Sequence, residues 1–403
     1  MVKNITIIGI NYFPEDSAIG LYTTQKAEYL SNKGYNVTLI TGFPYYPQWR
    51  ISKDYKTKPF FFKETINGVN LLRFKQYVPS DPTFFKRILH LLSFTLGSFI
   101  NLFKTPKPDL IISIVPFTSS ILLGWFLKFR YRSKFWVHIQ DFEFDAAAQS
   151  GLSFKIPVFL KILYHIEKKL LDSADVASTI SFGMLKKLSQ KTSSERVFLP
   201  NWIDKKKTPT LTGPHPFLKS KKTKILYSGN IGEKQDWDNF IAFCKDTAFL
   251  EYEIIIVGDG SKKDWLLKEI KTMKHISYHP PIPYEELSSL LFSADLHVLF
   301  QKADVIDAAM PSKILGMMAS GKPSVVIGNI DSEVRQIFQR SNGGLFFTAY
   351  TAQVLATIGS LLKDSSKCSK MGSAARDYIC SNFSKQKILG GLSHRVSELL
   401  HSD

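Results

Sequence analysis

Two α/β domains, each built on a parallel sheet, are what this 403-residue chain predicts. Three observations point there. Short apolar runs of strand length alternate with amphipathic stretches of helix length, glycine-bearing turns recur at the exits of the predicted strands, and a segment rich in Pro, Thr and Lys between Pro200 and Phe217 divides the pattern into two series. The length is too great for one compact core, and 44% apolar residues supply material for two.

The chain opens on a strand at Lys3 to Ile10, followed by NYFPEDSAIG and an amphipathic stretch from Leu21 to Lys33 that Gly34 closes. Val37 to Thr41 is the next strand, so the first element is a βαβ unit with Gly20 at the helix entrance. No GxGxxG is present, which argues against an ordinary dinucleotide fingerprint, although a glycine before a helix start lets a phosphate approach the backbone. Pro44 to Pro59 is a long aromatic and basic loop, of a length that is usually functional. Phe84 to Phe103 reads as a helix with a narrow polar stripe of Lys86, His90, Ser93, Gly97 and Asn101 and apolar residues elsewhere; such a helix is either buried or half sunk in a bilayer interface. A strand at Asp109 to Val115, a helix at Ser119 to Phe129, a buried strand at Phe135 to Ile139 running into HIQDFEFD, an apolar and basic segment at Phe154 to Leu171 and a strand at Asp175 to Ser181 follow.

Beyond the linker, strands are expected at Lys224 to Ser228, Glu253 to Val257, Ile276 to His279, Leu296 to Phe300 and Ser324 to Ile327. Helices at Trp237 to Thr247, Lys263 to Met273, Tyr284 to Phe292, Ser312 to Ser320 and Glu333 to Gln339 separate them, and the C-terminal stretch reads as helical. This alternation puts a ligand crevice at the carboxyl ends of the strands. Four elements fall on that rim: SGNIGEKQ from Ser228, VGDGS from Val257, HPPIP from His279, and Ala303 to Pro323. In the first, Gly229 and Gly232 permit a tight turn while Lys234 projects near a helix start. In the last, Pro311 suits the first helical turn, Ser312 offers a capping hydroxyl, and Lys313 sits at the positive end of the helix dipole, a ready anion site.

A formal charge of +17 implies a polyanionic partner: nucleic acid, an anionic membrane surface or phosphorylated substrates. From Phe84 to Phe135 eight Lys and Arg stand against the single acid Asp109, set among leucines, phenylalanines and a tryptophan, which favours a membrane surface over a duplex. No run of about 18 apolar residues is present, so no spanning helix is expected, and the first residues read as a strand rather than a signal peptide. Three scattered cysteines form neither a disulfide frame nor a metal knuckle and fit a reducing cytoplasm.

These motifs, in this order, resemble the retaining glycosyltransferases of family 4. YFPEDSAIGLYTTQKAEYLSNKGYNVTLIT is similar to the family's opening, in which Gly20 matches a glycine near the donor diphosphate; LPNWID matches its IPNGVD segment, bringing Asn201 into the donor site. SGNIGEKQDWDNFI resembles GRLxxEKGxDxLI, placing Lys234 on the phosphate-binding lysine and Asn230 on the usual arginine; VGDGS matches VGDGP and brings Gly258, and Pro281 of the rim element HPPIP is a further donor-site candidate. The resemblance implies a GT-B fold of two facing, doubly wound Rossmann-like domains, residues 1–205 for acceptor and membrane and 206–382 for the nucleotide sugar, with a C-terminal helix at 383–403 returning to the N-terminal domain. It further implies retaining transfer of a hexose from a nucleoside diphosphate sugar to a polyprenyl-diphosphate-linked saccharide, at the inner face of the cytoplasmic membrane. PSKILGMMASGKP, NYFPEDSAIG and HIQDFEFDA look nearest to fucosyltransferase-like enzymes of colanic acid, exopolysaccharide or O-antigen assembly, which suggests fucose or N-acetylfucosamine as the sugar.

His138 falls on the family's histidine that faces the donor sugar, with Asp141, Glu143 and Asp145 beside it; a buried core histidine is the alternative. The family's two glutamates, eight positions apart, are replaced here by Ala308 and Gly316, and Asp304 and Asp307 are the acids placed to serve instead. Asp236-Trp237-Asp238 spells a DxD, but it opens a predicted helix where Asp236 can cap, and no bound metal or other cofactor is expected. Charge on the departing diphosphate would be met by Lys234, Lys313, Gly20 and the helix start at Ser312. Two other classes compete: a sugar-nucleotide epimerase on the same fold, and a basic nucleic-acid-binding protein, against which stands the lack of any recognisable module.

Overall fold

The computed structural model describes residues 2–15, 18–142, 157–204, 214–304 and 312–401. The chain divides into two compact units, Met1–Pro200 with Leu389–Asp403, and Asn201–Ile388. Glu143, Asp145, Asp307, Ala308, Pro311 and residues 205–213 of the linker fall outside the described residues.

In the first unit the strands are β1 (Asn4–Ile8), β2 (Asn36–Gly42), β3 (Phe61–Ile66), β4 (Val69–Phe74), β5 (Leu110–Val115), β6 (Lys134–Ile139), β7 (Val176–Thr179) and β8 (Glu195–Phe198). They form one sheet in the order β3-β4-β2-β1-β5-β6-β7-β8, parallel throughout except for the antiparallel β3–β4 pair. The near-continuous apolar runs of β1 and β5 are what a strand covered on both faces requires, and Ile5, Ile7, Ile8, Leu110 and Ile111 are buried. Helices α1 (Ala18–Asn32), α2 (Phe84–Leu102), α3 (Thr118–Tyr131), α4 (Pro157–Asp172) and α5 (Phe182–Lys191) accompany them. The β3–β4 hairpin was not among the expected strands, although Asn67-Gly68 carries its signal: both residues have positive φ, 48° and 80°, as a two-residue hairpin turn demands.

α2 buries its polar stripe and leaves much of its apolar surface exposed. His90, Gly97 and Asn101 of the polar stripe pack inward together with Phe94, Ser98 and Leu102. His90 Nδ1 donates to Tyr77 O at 2.5 Å, Ser93 Oγ accepts from Tyr77 N at 2.9 Å, and Asn101 Nδ2 reaches Leu72 O at 3.3 Å. Gly97 is needed there, because a Cβ would lie 2.1 Å from the Phe74 ring. The apolar positions face outward, Phe85 at 77% and Leu96 at 70% exposure.

The first unit buries two cationic side chains, Arg73 and Lys26. Arg73 on β4 is fully buried; its Nε donates to Glu64 at 2.5 Å, and its terminal nitrogens donate to Gly42 O at 3.0 Å and Phe13 O at 2.6 Å, tying the loop after β1 to the end of β2. Lys26 on α1 is 1% exposed, and burial brings its pKa down to about 7. The unfolded chain keeps that proton to about pH 10.4, so between pH 7 and 10 the unfolded state binds more protons and stability rises with pH.

The second unit contains β9 (Thr223–Ser228), β10 (Tyr252–Val257), β11 (Ile276–His279), β12 (Leu296–Phe300), β13 (Ser324–Ile327) and β14 (Leu345–Phe347), in the all-parallel order β11-β10-β9-β12-β13-β14. Its helices are α6 (Trp237–Asp246), α7 (Lys263–Ile270), α8 (Tyr284–Ser293), α9 (Ser312–Ala319), α10 (Glu333–Ser341), α11 (Ala352–Lys363) and α12 (Ser365–Asn382); α13 (Lys385–His401) follows, with residues from Leu389 onward belonging to the first unit. Strand order reverses between β9 and β12, so the loops leaving those strands diverge and open a crevice. Both strands are central and buried, which fixes the loop ends rigidly.

Replacing Lys26 with Met should raise the melting temperature at pH 7 and flatten its rise between pH 7 and 9 relative to the parent protein. Scanning calorimetry of both proteins at the two pH values checks this, and parallel curves would refute the buried, unpaired lysine.

Candidate active site

The crevice of the second unit is built by backbone meeting backbone. Gly229, leaving β9 with φ 131°, donates from N to Val257 O at 2.9 Å, while Ile231 N donates to Asp259 O at 2.8 Å and Lys262 N to Ile231 O at 2.9 Å. This seam leaves no room for a side chain: a Cβ on Gly258 would stand 1.9 Å from Gly229 O, and one on Gly260 2.3 Å from Ile231 O. On the other flank Lys302 N donates to Lys234 O at 3.1 Å and Asp236 N to Phe300 O at 3.1 Å, so the loop carrying Lys234 is anchored to both strands bordering the switch point. Trp237 Nε1 donates to Gly232 O at 2.9 Å and Gln235 Oε1 accepts from Gly232 N at 3.0 Å, closing the turn.

Into this frame α9 sends Lys313. Its Nζ lies 3.3 Å from the Tyr227 hydroxyl and 4.7 Å from the centre of the Tyr227 ring, and a Cβ on Gly229 would meet the ammonium at 3.1 Å. Tyr227 is fully buried; its hydroxyl donates to Asn230 O at 2.6 Å, and burial pushes its pKa far up, so it remains a neutral prop under the lysine. The sequence-predicted Asn230, Gly258 and Lys313 therefore meet around Gly229 and Gly260, with Lys234 in the same β9 loop and Ser312 at the start of α9. Lys234 and Asn230 are exposed on this rim, as are Pro281 after β11 and Asp304 after β12, whereas Asn201 is buried. Tyr227 was not singled out from sequence; its signal is an aromatic one residue from the end of the central strand.

Asp236 is committed elsewhere. Its carboxylate caps α6, accepting from Asn239 N at 3.2 Å and Asn239 Nδ2 at 2.6 Å, while buried Trp237 separates it from exposed Asp238. Among the described residues no group of three His, Cys, Asp or Glu side chains is placed to hold a metal ion.

In the first unit His138 is 1% exposed on β6 and engaged at both ring nitrogens: Nδ1 lies 2.9 Å from Ser178 Oγ and Nε2 3.0 Å from Gln140 Nε2. Burial, followed by the nearby Lys26 charge, depresses its pKa well below the ordinary value, so the ring is neutral. With Gln140 donating to Nε2, Nδ1 carries the proton and donates to Ser178, which also accepts from Trp136 Nε1 at 2.7 Å. This geometry suits a positioning residue that fixes Gln140, not an acid or base. Asp141, by contrast, is exposed, with one carboxylate oxygen accepting from Phe142 N at 2.9 Å.

Sequence reasoning passed over Glu15. It is 5% exposed and accepts three short hydrogen bonds, from Asn11 Nδ2, Tyr45 N and Tyr46 N, each 2.7 Å. Desolvation raises its pKa and these donors oppose the rise. A Cβ on Gly20 would lie 2.6 Å from Glu15 O, so the glycine at the start of α1 is required by the fold of this loop.

Residues 17–202 match the family profile described as a glycosyl transferase 4-like domain, and residues 214–378 that of glycosyl transferases group 1. Over 401 residues the chain is 31% identical to WcaI of Escherichia coli (strain K12), named as a colanic acid biosynthesis glycosyl transferase, with 96% of this chain and 97% of that one covered. The chain belongs to the group 1 glycosyltransferases. The sucrose-phosphate synthase of Thermosynechococcus elongatus superposes with a TM-score of 0.76 at 14% identity, covering 100% of both chains. Anabaena Alr3699/HepE, solved in complex with UDP-glucose, gives 0.69 at 14% identity over 98% of this chain and 99% of that one. At such identities the likeness speaks for the fold, which is GT-B, and this glycosyltransferase shares it with enzymes of divergent sequence.

Gly258→Ala should cost about 2 kcal/mol or more of stability, because its Cβ must force the two rim loops apart. Urea unfolding measures the loss, and an unchanged midpoint would contradict the seam.

Proposed function

We propose that this glycosyltransferase moves a hexosyl group, with fucose or N-acetylfucosamine the sugars suggested, from a nucleoside diphosphate sugar to a polyprenyl-diphosphate-linked saccharide, with retention at the anomeric carbon and without a metal ion. The observation that carries the reading is Lys313 Nζ held over Tyr227 beside Gly229 at the switch point of the second sheet. Departure of the diphosphate is the difficult step, and a fixed ammonium there, with Lys234 and the start of α9, stabilises the charge as it develops. Occupation of Asp236 in helix capping supports a metal-free site, since the DxD is spent. Retention rests on the family pattern; the leaving phosphate would take the acceptor proton, so neutral His138 need not act as a base, and Asp304 and Asp307 would hold sugar hydroxyls. The likeness to WcaI supports a role in exopolysaccharide or related O-antigen and lipopolysaccharide assembly. The enzyme would then work in the cytoplasm, peripherally at the inner membrane face where such acceptors lie.

A panel of nucleoside diphosphates should yield at least one that raises the melting temperature, and Lys313→Ala should weaken that ligand by roughly tenfold to a hundredfold. With the active sugar donor, NMR of the product should give the donor's anomeric configuration, and EDTA should leave the rate unchanged. Inversion, or loss of activity on chelation, would overturn the corresponding part of the reading.

A further inference from the structure

α2 is turned inside out relative to an ordinary surface helix. Its hydrogen-bonding side chains serve the core, through His90 to Tyr77 O, Ser93 to Tyr77 N and Asn101 to Leu72 O, while Phe85, Leu89, Leu92 and Leu96 form one stripe toward solvent at 53–77% exposure. α3 continues this surface. Phe99 and Phe103 at the end of the α2 stripe meet Phe126 of α3 at 5.0 and 5.9 Å between ring centres, and beyond it Trp125 and Phe129 stand 43% and 80% exposed, stacked at 6.3 Å. Burying such side chains is the main gain available to a folded chain, so leaving a whole stripe exposed along about 28 Å of helix calls for a partner that covers it.

The charge around the stripe selects the partner. No acidic residue lies within α2 or α3; Lys86 and Arg87 flank the first turn of α2, and Arg130 lies 5.5 Å from the Phe103 ring at the far end. A second copy would bring these cations, on a chain of formal charge +17, against each other. An anionic lipid surface meets both requirements, taking apolar side chains below the headgroups and cations among the phosphates. Among the described residues no helix is long and apolar enough to cross a membrane, and the inward polar stripe of α2 needs its protein partners, so the helix lies in the plane of the interface.

We propose that the outward face of α2, extended by Trp125 and Phe129 of α3, is a seat for an anionic bilayer that carries this unit on the membrane surface. The proposal deepens the peripheral-membrane part of the functional reading but stands on its own geometry, in a different unit from the donor crevice. Leu89 and Leu96 penetrate the acyl boundary and Trp125 reports on it.

The test uses the full chain with vesicles of phosphatidylglycerol mixed into phosphatidylcholine, and of phosphatidylcholine alone. The protein should float with the anionic vesicles at least about tenfold more strongly than with the neutral ones, and brominated acyl chains should quench a fluorescence component that is absent in Trp125→Phe. The double variant Leu89→Glu/Leu96→Glu should lose roughly tenfold or more of the vesicle affinity while keeping its circular dichroism and its nucleotide-induced thermal shift, which separates this surface from the donor site. Equal binding to both vesicle types, no quenching through Trp125, or a stable dimer in solution dispersed by the same double variant would overturn the proposal. Should the double variant misfold, Phe129→Ser with the same readouts takes its place, and retention of full vesicle affinity by that folded variant would overturn the proposal.

Discussion

The close approach of two backbone loops at the switch point of the second sheet is the constraint on which the candidate chemistry depends. Gly229 and Gly258 leave neighbouring parallel strands and touch through bare backbone, and Lys313 can come down over Gly229 because no side chain stands there. A lysine in water is a mobile, strongly solvated charge; over the buried Tyr227 ring it has a fixed position. A positive charge held in place before a reaction begins is the electrostatic preparation that departure of a diphosphate needs.

The first unit is organised by buried charge of another kind. Arg73 serves backbone carbonyls from two loops and one carboxylate, and Glu15 gathers three donors from the loops after β1 and β2. Each would be costly if left unpaired, so each makes the loop geometry around it close to obligatory. Lys26 and His138 are buried, and desolvation shifts both toward their neutral forms. Neutral His138, held between Ser178 and Gln140, belongs to the framework of that unit, whereas Asp141 is exposed.

Much of the fold was legible because parallel α/β order writes itself as alternating apolar runs and amphipathic stretches. Five second-unit strands, β9 to β13, lie within a residue of where the periodicity puts them, β14 was not expected, and Asp236, expected as a cap from its place before a helix, is one. The β3–β4 hairpin was missed although Asn67-Gly68 announced it, because its strands do not alternate cleanly: Phe61 and Phe62 are both half-buried and Leu71 and Leu72 both buried. Of the site, the glycines and lysines were readable as types suited to phosphate, whereas Tyr227 and Glu15 looked like ordinary core and loop residues. Their roles arise from neighbours far away in the chain, such as Lys313 for one and Tyr45 for the other.

By itself the sequence determined the two α/β series with most of their elements, the family and the cluster of rim motifs, since all of these depend on local periodicity and on residue types at fixed spacing. Only the tertiary structure decided which face of α2 meets the core. Periodicity shows that a helix has two unlike faces, but the choice between them belongs to what packs against it, here the Phe74 ring in the gap at Gly97 and the carbonyls of Leu72 and Tyr77 awaiting donors. It likewise decided that Lys26 is buried and His138 saturated, because burial and partnership are properties of three-dimensional neighbourhoods, and no spacing along a chain encodes them.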